Sequence, residues 1–143
     1  MQRQTVRRGS ITVTETPDRQ PSQAPVVLVV TGDTDLREAS ARALAREGYT
    51  VVTAAHAGHA VLACITAGRV DLLLAELSME DMSGPALAAR LRRQIPDLAT
   101  IFVADAGTLD CEGLLVRPFT RDDLLEALAT RIATATRSLT SAF

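Results

Sequence analysis

The residues of this chain that can do chemistry gather where apolar runs end. "LLLAELSMEDMSG" (72–84) drives a leucine run into Glu76, then opens into a loop with two methionines, Glu80, Asp81 and a glycine. That layout delivers one carboxylate from a buried strand to a surface site. A carboxylate there can attack as a nucleophile, help hold a cation or pair with one. Other polar groups sit at equivalent places: Thr31, Gly32 and Asp33 after "VVLVV" (26–30), Asp105 after "TIFVA" (100–104), and Arg117 with Pro118 after "LLV" (114–116). His56 and His59 form an H-x-x-H, a spacing that can bring two imidazoles to one metal. Gly58 interrupts it, the segment reads as the loop before a helix, and no further ligand clusters with it in the sequence, so a metal site is not favoured.

The elements that must position these groups alternate regularly from Pro25 onward. β-Branched or apolar runs at 26–30, 49–54, 70–76, 100–104 and 114–116 read as strands buried on both faces. Helical periodicity marks 33–48, 58–68, 84–95 and 120–135. Asp33 or Thr34 can cap the first helix, with Gly48 just beyond its end. Pro85 suits the first turn of the third helix and Pro96 stops it. Thr120 and Asp123 resemble a capping box at the last helix. Strands alternating with helices predict a doubly wound parallel sheet with helices on both faces, which puts a ligand cleft at the carboxyl ends of the strands. The interval from Ala104 to Arg117 breaks the rhythm. "DAGTLDCEG" (105–113) has no helical period and leaves no room for a full crossover helix. A fourth helix there is missing or reduced to a loop, and part of the sheet's edge or face is expected to be exposed. Residues 1–24 are polar, with little apolar periodicity, and read as a disordered tail before a domain at 25–136 and a short tail at 137–143.

Composition narrows the function classes. A net charge of −2 and 3% aromatic residues argue against a nucleic-acid binder, which needs a basic face or stacking platforms. No apolar run is long enough to span a membrane. Cys64 and Cys111 show neither metal nor redox spacing and read as two reduced cytosolic thiols, hence a cytoplasmic expectation. Every cationic side chain is Arg and Asn is absent, a bias expected of a GC-rich bacterial coding sequence, so an Arg in a Lys position carries little information. Arg90, Arg92 and Arg93 read as a solvated helix face. Glu80 and Asp81 read as solvent-facing, and Met79 and Met82 as loop packing.

Four stretches in register, "VLVVTGDTDLRE", "GYTVVTAAHAGHAVL", "VDLLLAELSMEDMSG" and "VRPF", resemble the receiver domain of two-component response regulators over residues 26 to 133. The resemblance implies a flavodoxin-like five-stranded sheet of order 2-1-3-4-5. It also implies a chemistry, phosphoryl transfer from a kinase histidine to an aspartate at the end of the third strand. That chemistry uses an acidic pair after the first strand to help hold Mg²⁺, a Ser or Thr ending the fourth, and a Lys before a proline.

Position by position, the resemblance puts the acidic pair on Thr31 and Gly32, which supply no carboxylate. Asp33 lies one place too far and suits a helix cap. The acceptor position falls on Glu76, the hydroxyl position on Ala104, and the Lys position on Arg117, with Pro118 retained. Glu in place of Asp moves the carboxylate by about one methylene, and a misplacement of about 1 Å costs roughly a hundredfold where geometry sets the rate. Losing the acidic pair removes most of the Mg²⁺ site and with it the main charge neutraliser. Asp105 adds a negative charge beside the site, which Arg117 can offset.

The implied reading is a degenerate pseudo-receiver, a non-enzymatic signalling module that binds a protein partner without phosphorylation. It has no cofactor, and its Mg²⁺ binding is weak or absent. Within it, Glu76 either plugs the vacated pocket by pairing with Arg117, the favoured role, or imitates a phosphorylated aspartate. Two alternatives stand beside it. One is a receiver phosphorylated at an unconventional acceptor such as Asp33 or Asp81. The other is a small-molecule sensor using the strand-end cleft, although no Gly-rich phosphate loop is present. Neither nucleic acid nor a membrane is an expected direct partner. The oligomeric state is left open, a homodimer included.

Overall fold

A computed structural model of the chain describes residues 24–107 and 113–141. The strands are β1 (Val26–Val30), β2 (Thr50–Ala54), β3 (Leu72–Glu76), β4 (Ala99–Ala104) and β5 (Leu114–Val116). The helices are α1 (Thr34–Arg46), α2 (Ala57–Ala67), α3 (Gly84–Leu91) and α4 (Arg121–Ser141). All strand pairs are parallel, in the order β2-β1-β3-β4-β5, as the flavodoxin-like expectation required.

The sheet is covered on both faces, and the alternation of side chains along each strand sorts them into two cores. Leu28, Val30 and Leu73 pack with Ala60, Cys64, Leu87 and Leu91 on the α2–α3 face. Val27, Val29, Leu72 and Leu74 pack with Leu44, Leu124 and Leu128 on the α1–α4 face. This is why β1 and β3 carry unbroken apolar runs: every position has a core to enter. Each of these leucines contributes about 1.5–3 kcal/mol by leaving water.

The helix ends follow the capping signals. The Asp33 carboxylate accepts the Leu36 N–H at 3.2 Å, and Gly48, just beyond α1, takes a positive φ of 97°. Thr120 and Asp123 satisfy each other's backbone N–H groups, both at 3.0 Å, so Asp serves here as Glu or Gln does in the usual box.

Several boundaries depart from the sequence expectation. α2 begins at Ala57, one residue before the expected 58, so Gly58 and His59 lie in the helix and not in a loop before it; Asp81 and His56 cap this end. α3 ends at Leu91, short of residue 95, and residues 92–94 continue as turns. Pro96 disfavours helical backbone at Ile95, and the Arg92 side chain bends back to the next strand. α4 continues to Ser141 and so runs past 135 and through most of the tail expected at 137–143. No Gly or Pro occurs between Arg121 and Ser141 to end it. Between β4 and β5, the described residues 106, 107 and 113 are turns rather than helix. Residues 108–112, including Cys111, and the expected tail up to residue 23 lie outside the described residues. On the sheet beside this short connection Phe102, Leu114 and Val116 are half-buried.

Gly84 fixes how α3 approaches the end of β3. It is buried, and its N–H donates to the Leu77 carbonyl at 2.9 Å. A Cβ at this position would press on the Glu76 carbonyl oxygen and lie 2.7 Å from Phe102 Cδ1. Gly84→Ala is therefore expected to lower unfolding stability by about 1–3 kcal/mol in urea denaturation. An unchanged midpoint would show that α3 can shift away from β3 freely.

Candidate functional site

The register of the sheet brings the site together. Val30 pairs with Ala75, so the next residues, Thr31 and Glu76, leave adjacent strands side by side. The Thr31 hydroxyl donates to Glu76 Oε2 at 2.5 Å. Arg117 arrives from β5, held by its backbone N–H on the Ala104 carbonyl at 2.8 Å and followed by a cis bond to Pro118. Its guanidinium reaches past the end of β4, where Ala104 presents only a methyl group, and donates to Glu76 Oε1 at 2.8 Å. A second nitrogen of the same guanidinium donates to Asp105 Oδ1 at 3.0 Å.

Both Glu76 oxygens are thus engaged, one by a neutral hydroxyl and one by a cation. The Glu76 side chain is 18% exposed and that of Arg117 is 31% exposed, while Asp105 is 85% exposed. Glu76–Arg117 is the inner, better shielded pair, and Asp105 adds a solvent-screened contact worth little by itself. Burial pulls the Arg117 pKa down, but hydrogen bonds and charge from Glu76 and Asp105 outweigh that, and the net shift is upward. Arg117 stays cationic throughout the physiological range.

Hydrogen bonds that the sequence did not foretell, and one residue it did not single out, Arg37, support this arrangement. Thr31, 2% exposed, also accepts the Asp33 N–H on its hydroxyl at 3.1 Å. Arg37, one turn into α1, donates to the Thr31 carbonyl at 2.7 Å and so holds the β1–α1 loop in place. Asp81 is not simply solvent-facing. Its Oδ2 accepts the Ala57 and Gly58 N–H groups at 3.1 and 3.3 Å, which ties the β3–α3 loop to the start of α2. His56 adds a second cap there, its Nδ1 accepting the His59 N–H at 3.1 Å. The H-x-x-H is therefore half consumed by helix capping. Met79 and Met82 pack against the α2–α3 core as expected, whereas Glu80 is exposed. Arg92 corrects the reading of a solvated basic face: it donates to the Leu98 carbonyl at 3.2 and 3.1 Å and staples α3 to β4.

Comparison with known proteins identifies the family. The family model for the response regulator receiver domain matches residues 27–129. The chain belongs to that family. It is 34% identical over 121 residues to the sensor kinase CckA of Brucella abortus, covering 78% of this chain and 12% of CckA. It is 31% identical over 111 residues to the transcriptional regulatory protein TcrA of Mycobacterium tuberculosis, covering 71% of this chain and 44% of TcrA. The chain thus spans less than half the length of these curated relatives. Among solved structures, the Vibrio cholerae chemotaxis protein CheY4 superposes with a TM-score of 0.67 at 25% identity, covering 76% of this chain and 98% of that one. A receiver domain protein from Clostridium thermocellum gives a TM-score of 0.69 at 20% identity, covering 78% of this chain and 97% of that one. The domain is a receiver of the two-component type.

The residues of this receiver do not suit the Mg²⁺ that the family resemblance implies. Thr31 and Gly32 offer no carboxylate. The described carboxylates of Asp33, Glu76 and Asp81 are committed to a helix N–H, to Thr31 and Arg117, and to the α2 amides. Among the described residues, no group of three or more His, Cys, Asp and Glu is placed to hold a metal ion. An open cleft of about 580 Å³ lies beside the site, lined in part by Gly32, His56, Glu76, Ser78 and Glu80.

Removing one partner of the inner pair leaves the other charge half-buried without its counterion. Arg117→Ala is expected to lower stability by about 1–3 kcal/mol. A double-mutant cycle with Glu76→Ala, read by chemical denaturation, should give a coupling energy of at least about 0.5 kcal/mol. Additive losses would show that the two side chains do not stabilise each other.

Proposed function

We propose that this domain is a pseudo-receiver, a module whose acceptor-position carboxylate is paired within its own chain and which signals by phosphorylation-independent contact with a protein partner. The observation that carries this reading is the closed state of Glu76, whose two oxygens are held by Thr31 and Arg117. Pairing with the Arg117 cation and the Thr31 hydroxyl draws electron density from both oxygens and holds the carboxylate in place, which weakens it as a nucleophile. Ala104 lacks a hydroxyl with which to bind a phosphoryl group, and Mg²⁺ binding is weak or absent for want of ligands. Asp33 and Asp81, the unconventional acceptors, are occupied as helix caps, which favours the pseudo-receiver over a phosphorylated form.

Within this reading Glu76 is a plug rather than an imitation of phospho-aspartate. A carboxylate brings one charge and two oxygens, where a phosphoryl group brings nearly two charges and three oxygens. The single charge is already matched by Arg117. The domain's role is then binding without catalysis, in the cytoplasm, and directed neither at nucleic acid nor at a membrane. Among the described residues, no helix is long and apolar enough to cross a membrane.

Incubating the full chain with Mg²⁺ and a small acyl-phosphate donor should leave its intact mass unchanged, and Glu76→Asp should behave the same way. A hydroxylamine-labile phosphoryl adduct on the wild-type chain would sink this reading, and mapping it to Asp33 or Asp81 would establish the alternative. Millimolar Mg²⁺ is expected to move Tm by less than about 1 °C, because a ligand without a site adds no binding free energy to the folded state.

A further inference from the structure

The two edges of the sheet are protected differently. β5 is three residues long and runs directly into Arg117 and Pro118. Short edges bearing charge or proline resist pairing with another chain. β2 has neither device. It is the five-residue run TVVTA, with Thr50 and Thr53 exposed. From Gly48 through Gly68 the chain carries no Asp, Glu, Lys or Arg, although 22% of all residues are charged.

The hydrogen bonds to β1 fix which β2 groups face outward. The Thr50 N–H donates to the Pro25 carbonyl at 2.9 Å, and the Ala54 carbonyl accepts from Thr31 N–H at 3.1 Å. In a parallel ladder alternate residues of a strand bond to the same neighbour. Thr50, Val52 and Ala54 therefore direct their backbone groups to β1, and Val51 and Thr53 direct theirs away from the sheet.

We propose that this edge is a self-association surface, with β2 pairing antiparallel to β2 of a second copy of the chain about a twofold axis at Val52. In that register Val51 of one copy faces Thr53 of the other, and each such pair exchanges both of its N–H···O=C bonds. The two sheets become one continuous sheet. The occupant follows from charge. Gly48 through His56 of one copy lies along the same stretch of the other, so no like charges are brought opposite each other, and a strongly charged partner finds nothing here to recognise. A five-residue strand pair falls short of the roughly 800 Å² per partner of a stable interface. The dimer is accordingly weak and concentration-dependent. This inference is independent of the pseudo-receiver reading.

Sedimentation equilibrium of the full chain from micromolar to millimolar concentration tests it. The apparent mass should rise from 15.2 kDa toward twice that value. Thr53→Lys places a charge on the edge, and Thr53→Pro removes an outward N–H without touching the β1 ladder. Each should weaken association at least about tenfold, with far-UV circular dichroism and Tm retained; Thr53→Lys carries the test if the proline variant does not fold. Leu62→Glu alters the other exposed apolar feature, the α2 face where Leu62 is 62% and Ile65 58% exposed, and should leave association unchanged. A wild-type chain that stays at 15.2 kDa throughout overturns the proposal. So does a Thr53→Lys variant that associates as tightly as wild type, or loss of association in Leu62→Glu alone.

Discussion

A carboxylate at the end of a buried strand must be matched by donors or a cation, and Glu76 finds both within its own chain. The Thr31 hydroxyl and the Arg117 guanidinium converge on it from β1 and β5, so one side chain joins the carboxyl ends of three strands. In an ordinary receiver, by the family resemblance, those strand ends keep their polar groups open for Mg²⁺ and phosphate. Here the same space holds an internal ion pair between Glu76 and Arg117.

The loops around this pair are tied down by a repeated device. A charged side chain from one element satisfies backbone groups at the end of another: Arg37 on the Thr31 carbonyl, Arg92 on the Leu98 carbonyl, Asp81 on the first amides of α2. Helix and strand ends leave such groups without regular partners, and a half-buried orphan is costly. Asp81 is the most consequential of the three. It links the loop after Glu76 to α2, so that loop has an anchor at Asp81 and two more in the packed Met79 and Met82.

Closure at one end of the sheet goes with a simplified side. The short connection between β4 and β5 shows turns and no helix among its described residues, and the neighbouring Phe102, Leu114 and Val116 are half-buried. The surfaces left for partners are those whose chemistry is unusual for a protein exterior, chief among them the uncharged edge at β2.

The sequence by itself determined the fold and which residues stand at the ends of its strands. Its alternating apolar runs and helical periods specify a parallel sheet buried on both faces, because no other arrangement gives both sides of β1 and β3 somewhere to go. The strand ends named Thr31, Gly32, Asp33, Glu76, Ala104, Asp105 and Arg117 in advance, because ligand sites of such sheets lie there. The pairing of Glu76 with Arg117 was expected from the family resemblance, but only the tertiary structure decided the rest of the network. That the Thr31 hydroxyl takes the second Glu76 oxygen, that Arg37 holds the Thr31 carbonyl, and that Asp81 caps a helix from another loop depend on side-chain reach between different elements. Local periodicity encodes which face of an element is buried. It does not encode which polar atom meets which across a sheet, since that is set by register and by the few ångströms of space left after the core has packed.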